Sequence, residues 1–221
     1  MLQSVQILIA KEFRLELRKK SVISGLGLYL VSLVFICYLT FNLRQATISE
    51  MTWAALFWLT ILFSVITSVA KSFIGESQGL TIYYYSIATP QAIILSKIIY
   101  NSLLCLAISL AGYLLFALFI GNVVEDPWVF LLALLLTSTG FSSSLSLMSG
   151  ISSKTNNSSI LMAVLSFPIV ISILLMAIRI TKNALDGLDR YASYDELINL
   201  VAINCILGGL AYILFPYIWR S

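Results

Sequence analysis

Apolar residues do not alternate with polar ones along this chain. They arrive in six long runs, at about Val22–Phe41, Thr52–Lys71, Ile98–Ile120, Trp128–Met148, Ile160–Ile178 and Leu197–Trp219. Each run has the length, roughly 20 residues, that a helix needs to cross a hydrocarbon core of about 30 Å. Backbone N–H and C=O groups find no water in that core, so each run must satisfy them internally as a helix. A membrane barrel would instead show alternating segments of about 10 residues, and the sequence has no such alternation. The pattern predicts an all-α integral membrane protein with six transmembrane helices. One permease-type domain is expected over residues 1–221.

The first 20 residues have a different rhythm. At 100° per residue, Leu2, Val5, Ile9, Phe13 and Leu17 fall on one face, and Lys11, Arg14 and Arg18 on the opposite one. That is the pattern of an amphipathic helix lying in the membrane interface, with basic side chains reaching for anionic headgroups. The segment reads either as a basic flank that fixes orientation or as an elbow helix that also meets a cytoplasmic partner. The N-terminus lacks a short apolar core followed by a small-residue cleavage site, so no cleavable signal peptide is expected and the first long run is expected to act as the insertion signal.

Composition agrees with the pattern. Of 221 residues, 60 % are hydrophobic and 10 % charged, with mean hydropathy +0.98. Soluble domains carry roughly 45–50 % apolar and about 25 % charged residues. The net charge of +3 is too small to argue for nucleic acid, but its distribution is informative. With six spans, one side holds nine basic and three acidic residues and the other four basic and seven acidic. The positive-inside rule then places both termini in the cytoplasm.

Between the second and third runs lies the longest cytoplasmic connection, Lys71 to Lys97. It carries Phe73, Glu76, Gly79, the tyrosine run Tyr83, Tyr84 and Tyr85, and Thr89-Pro90. Thr89 suits an N-cap and Pro90 the first turn of a helix, where a missing N–H is harmless. The stretch from Phe73 to Tyr85 reads as a short helix along the membrane surface. It is either a wetted connector with interfacial tyrosines or a coupling helix that docks on a soluble protein through its aromatics.

Within the fourth run, Ser138, Gly140 and Ser143 belong to a dense small-polar stretch. Such residues allow close helix approach and interhelical hydrogen bonds, so the face reads as packing, a dimer seam or the lining of a substrate path. Pro168 interrupts the fifth run and predicts a kink. No ionisable residue is expected deep in a span, which argues against a proton-coupled carrier. The last external loop, Arg179–Glu196, is rich in charge and has Tyr191 and Tyr194. It is either a solvated connector, with a short amphipathic helix in its first half, or a surface for an extracytoplasmic partner.

Catalytic chemistry is missing. The sequence has no G-x-x-x-x-G-K-[ST] phosphate loop, no G-x-S-x-G and no H-E-x-x-H. Histidine is absent altogether, so none can ligate haem iron. Cys37, Cys105 and Cys205 form no metal spacing and read as buried small hydrophobes. No metal site and no directly bound cofactor are expected, and any uphill transport must draw its energy from a partner.

Three stretches carry a family resemblance. They are Phe13-Arg14-Leu15-Glu16-Leu17-Arg18; the series Phe73, Glu76, Gly79, Pro90, Lys97; and Val164-Leu165-Ser166-Phe167-Pro168-Ile169. In this order and spacing, over nearly the whole chain, they resemble the haem exporter protein B family (CcmB), the membrane subunit of the cytochrome c maturation ABC transporter and one of the ABC-2 type permeases. The family's second span-5 proline is Ser172 here. The resemblance implies a multi-pass protein of the bacterial cytoplasmic (inner) membrane. It implies a homodimer that binds a cytoplasmic ATPase through the Phe73–Pro90 loop, with ATP held in that partner and haem as the cargo. A haem-handling membrane subunit and an extracytoplasmic haem chaperone would complete the system. A generic ABC-2 exporter of a drug, lipid or polysaccharide, or a membrane scaffold that transports nothing, are the alternatives.

Overall fold

The computed structural model describes residues 2–18, 20–42, 49–69, 88–153 and 158–220. Its elements are α1 (Leu2–Arg18), α2 (Lys20–Asn42), α3 (Glu50–Val69), α4 (Pro90–Phe119), α5 (Pro127–Ser152), α6 (Ser158–Leu185), a 3₁₀ turn (Arg190–Ser193) and α7 (Tyr194–Arg220). Among the described residues there is no strand. Helices α2 to α7 are long and apolar enough to cross a membrane, matching the six runs. Helix α1 is amphipathic, with Val5 and Leu8 buried and Arg14 and Arg18 exposed.

Helix α5 is the central post. It is the most buried span, whereas α2 and α7 are the most exposed. It packs against α4, α6 and α7, and more lightly against α3. The small residues of α5 make this possible, because they let neighbouring backbones approach closely. A Cβ placed on Gly140 would lie 3.2 Å from Ile173 Cδ1 of α6 and 3.3 Å from Asn204 Oδ1 of α7. Gly112 of α4 is tighter still, since its Cβ would come within 2.5 Å of Ile61 Cδ1 of α3.

The half of the bundle away from α1 is filled by aromatics. Trp53 stacks on Phe57 at 5.3 Å, and Phe116 meets both rings edge-on at 5.4 and 5.5 Å. Tyr113 and Phe130 close the cluster at 4.9 Å. Edge-to-face pairs of this kind add about 0.5–1.5 kcal/mol beyond the area they bury. Trp58 donates its indole N–H to Thr181 Oγ1 at 2.8 Å, which ties α3 to α6.

Several helices run further than hydropathy alone suggests. Helix α4 begins at Pro90, so residues 90–97, expected as loop, form its first two turns. Thr89 is its N-cap and accepts the Ala92 N–H at 3.4 Å, with Pro90 in the first turn, as expected. Helix α6 continues to Leu185, so Arg179 and Lys182 are helical and the connection to α7 is short. Apolar windows stop at the first charge, but a capped helix continues until its backbone is interrupted. Of the cysteines only Cys105 is fully buried; Cys37 is half-buried and Cys205 faces outward among apolar neighbours on α7. Cysteine tolerates a lipid-facing position as well as a core one.

The end of the bundle opposite α1 is pinned by charge. Asp126 caps α5 by accepting the Trp128 and Val129 N–H groups, and Arg190 clasps the same carboxylate through Nε at 2.8 Å and Nη2 at 3.4 Å. The N–H groups of Glu125 and Asp126 donate to the Ala184 carbonyl at 3.2 and 3.0 Å. Lys182 bonds Asp186 at 2.6 Å. Gly187, with φ of +63°, makes the turn between α6 and the 3₁₀ turn. Asn183 reaches across to Ser193 at 3.1 Å. Much of the loop's polar content thus closes the loop on itself.

The hydrogen bond from Arg190 holds the Asp126 carboxyl below the usual carboxylate range. A lowered folded-state pKa contributes stability above the unfolded pKa, and the contribution is lost as pH falls through the folded value. The difference in melting temperature between the protein and Arg190→Gln should therefore be constant from about pH 8 down to roughly pH 4.5 and shrink only below the ordinary carboxylate value of about 3.9. A difference that already falls between pH 7 and 5 would contradict this role for the pair.

Candidate functional site

The site begins where α1 meets the N-terminal turns of α4. Val5, Leu8 and Glu12 recur at helical spacing, so they share one face of α1. Val5 and Leu8 are buried, and Leu8 shares an apolar cluster with Ile93, Ile94, Leu147, Ala211 and Phe215 of α4, α5 and α7. Glu12 points at the same helix and reaches Lys97 Nζ at 3.7 Å. One residue on, Phe13 meets Tyr100 edge-on at 5.1 Å.

Lys97 is 2 % exposed, two turns inside a spanning helix. This corrects two expectations: Lys97 lies in a span rather than a loop, and the spans contain a buried ionisable group after all. An ammonium in that setting is costly unless paired. Glu12 provides the pairing from the interfacial helix, and Lys11 adds a second cation to the Glu12 carboxylate at 3.3 Å. Lys11 therefore turns toward this corner, while Arg14 and Arg18 remain on the exposed face.

A ladder of polar contacts continues from Lys97 into the bundle. Ser142 of α5 donates to the Ile98 carbonyl of α4 at 2.7 Å. Asn101 Nδ2 donates to Ser146 Oγ at 2.8 Å, and Ser109 and Ser138 lie 3.4 Å apart. On the other side of α5, Asn204 of α7 donates to the Leu136 carbonyl at 3.0 Å. Ser138, Gly140 and Ser143 are all buried in helix contacts. Of the readings open for this stretch, packing between α4, α5, α6 and α7 fits this geometry. Pro168 stands apart, exposed on α6. Ser172 donates to its carbonyl at 3.0 Å, and α6 continues through it as one helix.

Phe73, Glu76, Gly79, Tyr83 and Tyr84, together with Tyr85, lie outside the described residues. Lys97 is brought to the corner, and Pro90 starts the same helix two turns earlier. Glu12, Tyr100 and Asn101 complete it, and sequence reasoning missed all three. Their signal was available: Glu12 falls between the basic residues of α1, and Asn101 is four residues beyond Lys97, one helical turn along the same face. Among the described residues no cluster of His, Cys, Asp or Glu could hold a metal ion.

A helical bundle of six candidate spans, with an amphipathic helix locked to one end and no catalytic constellation in its sequence, defines a polytopic membrane subunit of permease type. The family model described as CcmB protein matches residues 3–213, and the chain belongs to the CcmB family. It is thus a membrane component of a haem-export ABC system of cytochrome c biogenesis. No curated protein matches the chain.

Removing one partner of a buried pair costs on the order of 3 kcal/mol, whereas removing both costs much less than the sum. A double-mutant cycle of Glu12→Gln and Lys97→Met, read by detergent-induced unfolding, should therefore show a coupling energy of at least about 1 kcal/mol. Additive effects would mean that the two helices are joined by apolar contact alone.

Proposed function

We propose that the chain is the permease subunit of an ABC transporter that delivers haem for c-type cytochrome assembly, with its α1 end in the cytoplasm. The observation that carries this reading is the Glu12–Lys97 corner. The segment joining α3 to α4 enters the bundle at Thr89, two turns before Lys97, so a protein docked on that segment would act directly on the corner. A soluble ATPase held by Phe73, Glu76, Gly79, Tyr83 and Tyr84 would then move α4 and α1 together. The polar ladder between α4 and α5 would pass that movement to the centre of the bundle. The excess of Lys and Arg on this side supports its cytoplasmic placement in the bacterial inner membrane.

A homodimer bound to two ATPase copies, beside a haem-handling membrane subunit and an extracytoplasmic haem chaperone, completes the proposed complex. ATP is bound by the partner, and haem is cargo rather than a resident cofactor. The buried small-polar stretch of α5 favours a structural role for that helix, and haem is proposed to contact other subunits or the interface between two copies.

Two experiments test this. Cells lacking the gene, in a background with no second maturation system, should lose the covalent haem stain of membrane proteins while b-type cytochromes persist, and complementation should restore it. Normal c-type cytochromes would remove the haem reading and leave a generic exporter. Glu76→Lys combined with Gly79→Pro should abolish co-purification of the ATPase. Unchanged co-purification and ATPase activity would favour a membrane scaffold.

A further inference from the structure

A cavity of about 220 Å³ lies where α1, α2, α3 and α4 meet. Its walls are apolar, with Leu30 of α2 facing Leu104 and Ile108 of α4. Its rim includes Gly27, Ala107 and Ala111, all exposed, so it opens sideways between α2 and α4. In a membrane that opening faces acyl chains. Ser64, the hydroxyl in the lining, already donates to the Thr60 carbonyl at 2.8 Å. Among the described residues one acidic side chain borders the space, Glu16 of α1.

These features select an occupant. Apolar cavities stay dry, and engineered ones of about 150 Å³ hold benzene. From Leu104 to Ala111 the wall runs roughly 10 Å along α4, which suits an alkyl chain better than a compact solute. A carboxylate at the α1 end would repel an anionic head and attract an ammonium. Arg14 and Arg18, exposed two residues to either side of Glu16, lie on the far face of α1 and leave the charge at the cavity mouth to the carboxylate. An ammonium at the head of an acyl chain describes an aminophospholipid.

We propose that this cavity is a lipid site that takes one acyl chain of a phosphatidylethanolamine from the leaflet on the α1 side, with the headgroup ammonium paired to Glu16. The site shares α1 with the Glu12–Lys97 corner but does not depend on ATPase coupling. A bound lipid would brace α2, which buries few side chains of its own; Leu30 and Val34 are its buried hydrophobics among the described side chains.

The test is native mass spectrometry of the purified full-length protein in mild detergent, with added phosphatidylethanolamine or phosphatidylglycerol of identical chains. The protein should retain one phosphatidylethanolamine per chain, several-fold in preference to phosphatidylglycerol. Glu16→Gln should bring the two lipids to near-equal retention. Gly27→Phe should lower retention of both, and a Cβ at Gly27 meets nothing within 4 Å, so the backbone has room for it. Equal retention of the two lipids by the unmodified protein would overturn the proposal, as would a preference unchanged in Glu16→Gln. A photoreactive residue at Ala107 should label lipid, and labelling of a second copy of the chain instead would also overturn it.

Discussion

A charge cannot sit two turns inside a membrane-spanning helix without an answer to its desolvation. In this chain the answer comes from a different helix. Glu12 of α1 reaches Lys97 of α4 at 3.7 Å, and that contact fixes more than one pair of atoms. With Glu12 turned inward, Val5 and Leu8 on the same face are buried, Phe13 lies against Tyr100, and Arg14 and Arg18 are left exposed. An apolar face alone would let α1 roll or slide over the bundle, because apolar contact is non-directional. The ion pair gives it one register. The amphipathic helix is thereby fastened to the first turns of α4 rather than merely floating in the interface.

Farther in, the bundle is held by a different device. Lipid tails are as apolar as leucine, so helix association inside a membrane relies on close packing and interhelical hydrogen bonds. Helix α5 supplies both, through Gly140 and the serines that contact α4. Such bonds average about 0.6 kcal/mol each, so no single one holds the bundle, but Ser142, Ser146 and Ser138 act along one seam between α4 and α5. The α1–α4 corner is therefore continuous with the central helix. That continuity is the physical content of the proposal that this end receives mechanical work from a partner. The opposite end, pinned by Asp126, Arg190 and the Ala184 carbonyl, gives the bundle a fixed far boundary.

The number and type of the spans were legible because apolar run length is a direct consequence of bilayer thickness, and the Thr89-Pro90 start of α4 was legible because its capping chemistry is local. Two kinds of feature were not. Helix ends were misjudged where charge and helix overlap: Lys97 and Lys182 interrupt hydropathy but not the backbone. The partners of buried polar groups were also hidden. Nothing local in residues 1–20 says that Glu12 faces a lysine more than 80 positions away, and α1 read from its basic residues alone would have Lys11 in solvent with Arg14 and Arg18. The α5 serines were visible as a stretch, but whether they line a path or a seam depends on which helices surround α5. Pro168 shows the same limit, since its sequence signal is strong while its position is on the outside of α6.

The central claim is that α1 and α4 behave as one body. Spin labels at Ile7 of α1 and Leu103 of α4, both exposed, would report their separation by pulsed dipolar spectroscopy in the membrane-reconstituted complex with its ATPase. The account predicts a narrow distance distribution with the same mean with and without ATP, and a broadened one in Glu12→Gln. A mean distance that shifts by several ångströms on addition of ATP would contradict it, because α1 would then move independently of the helix to which the ion pair joins it.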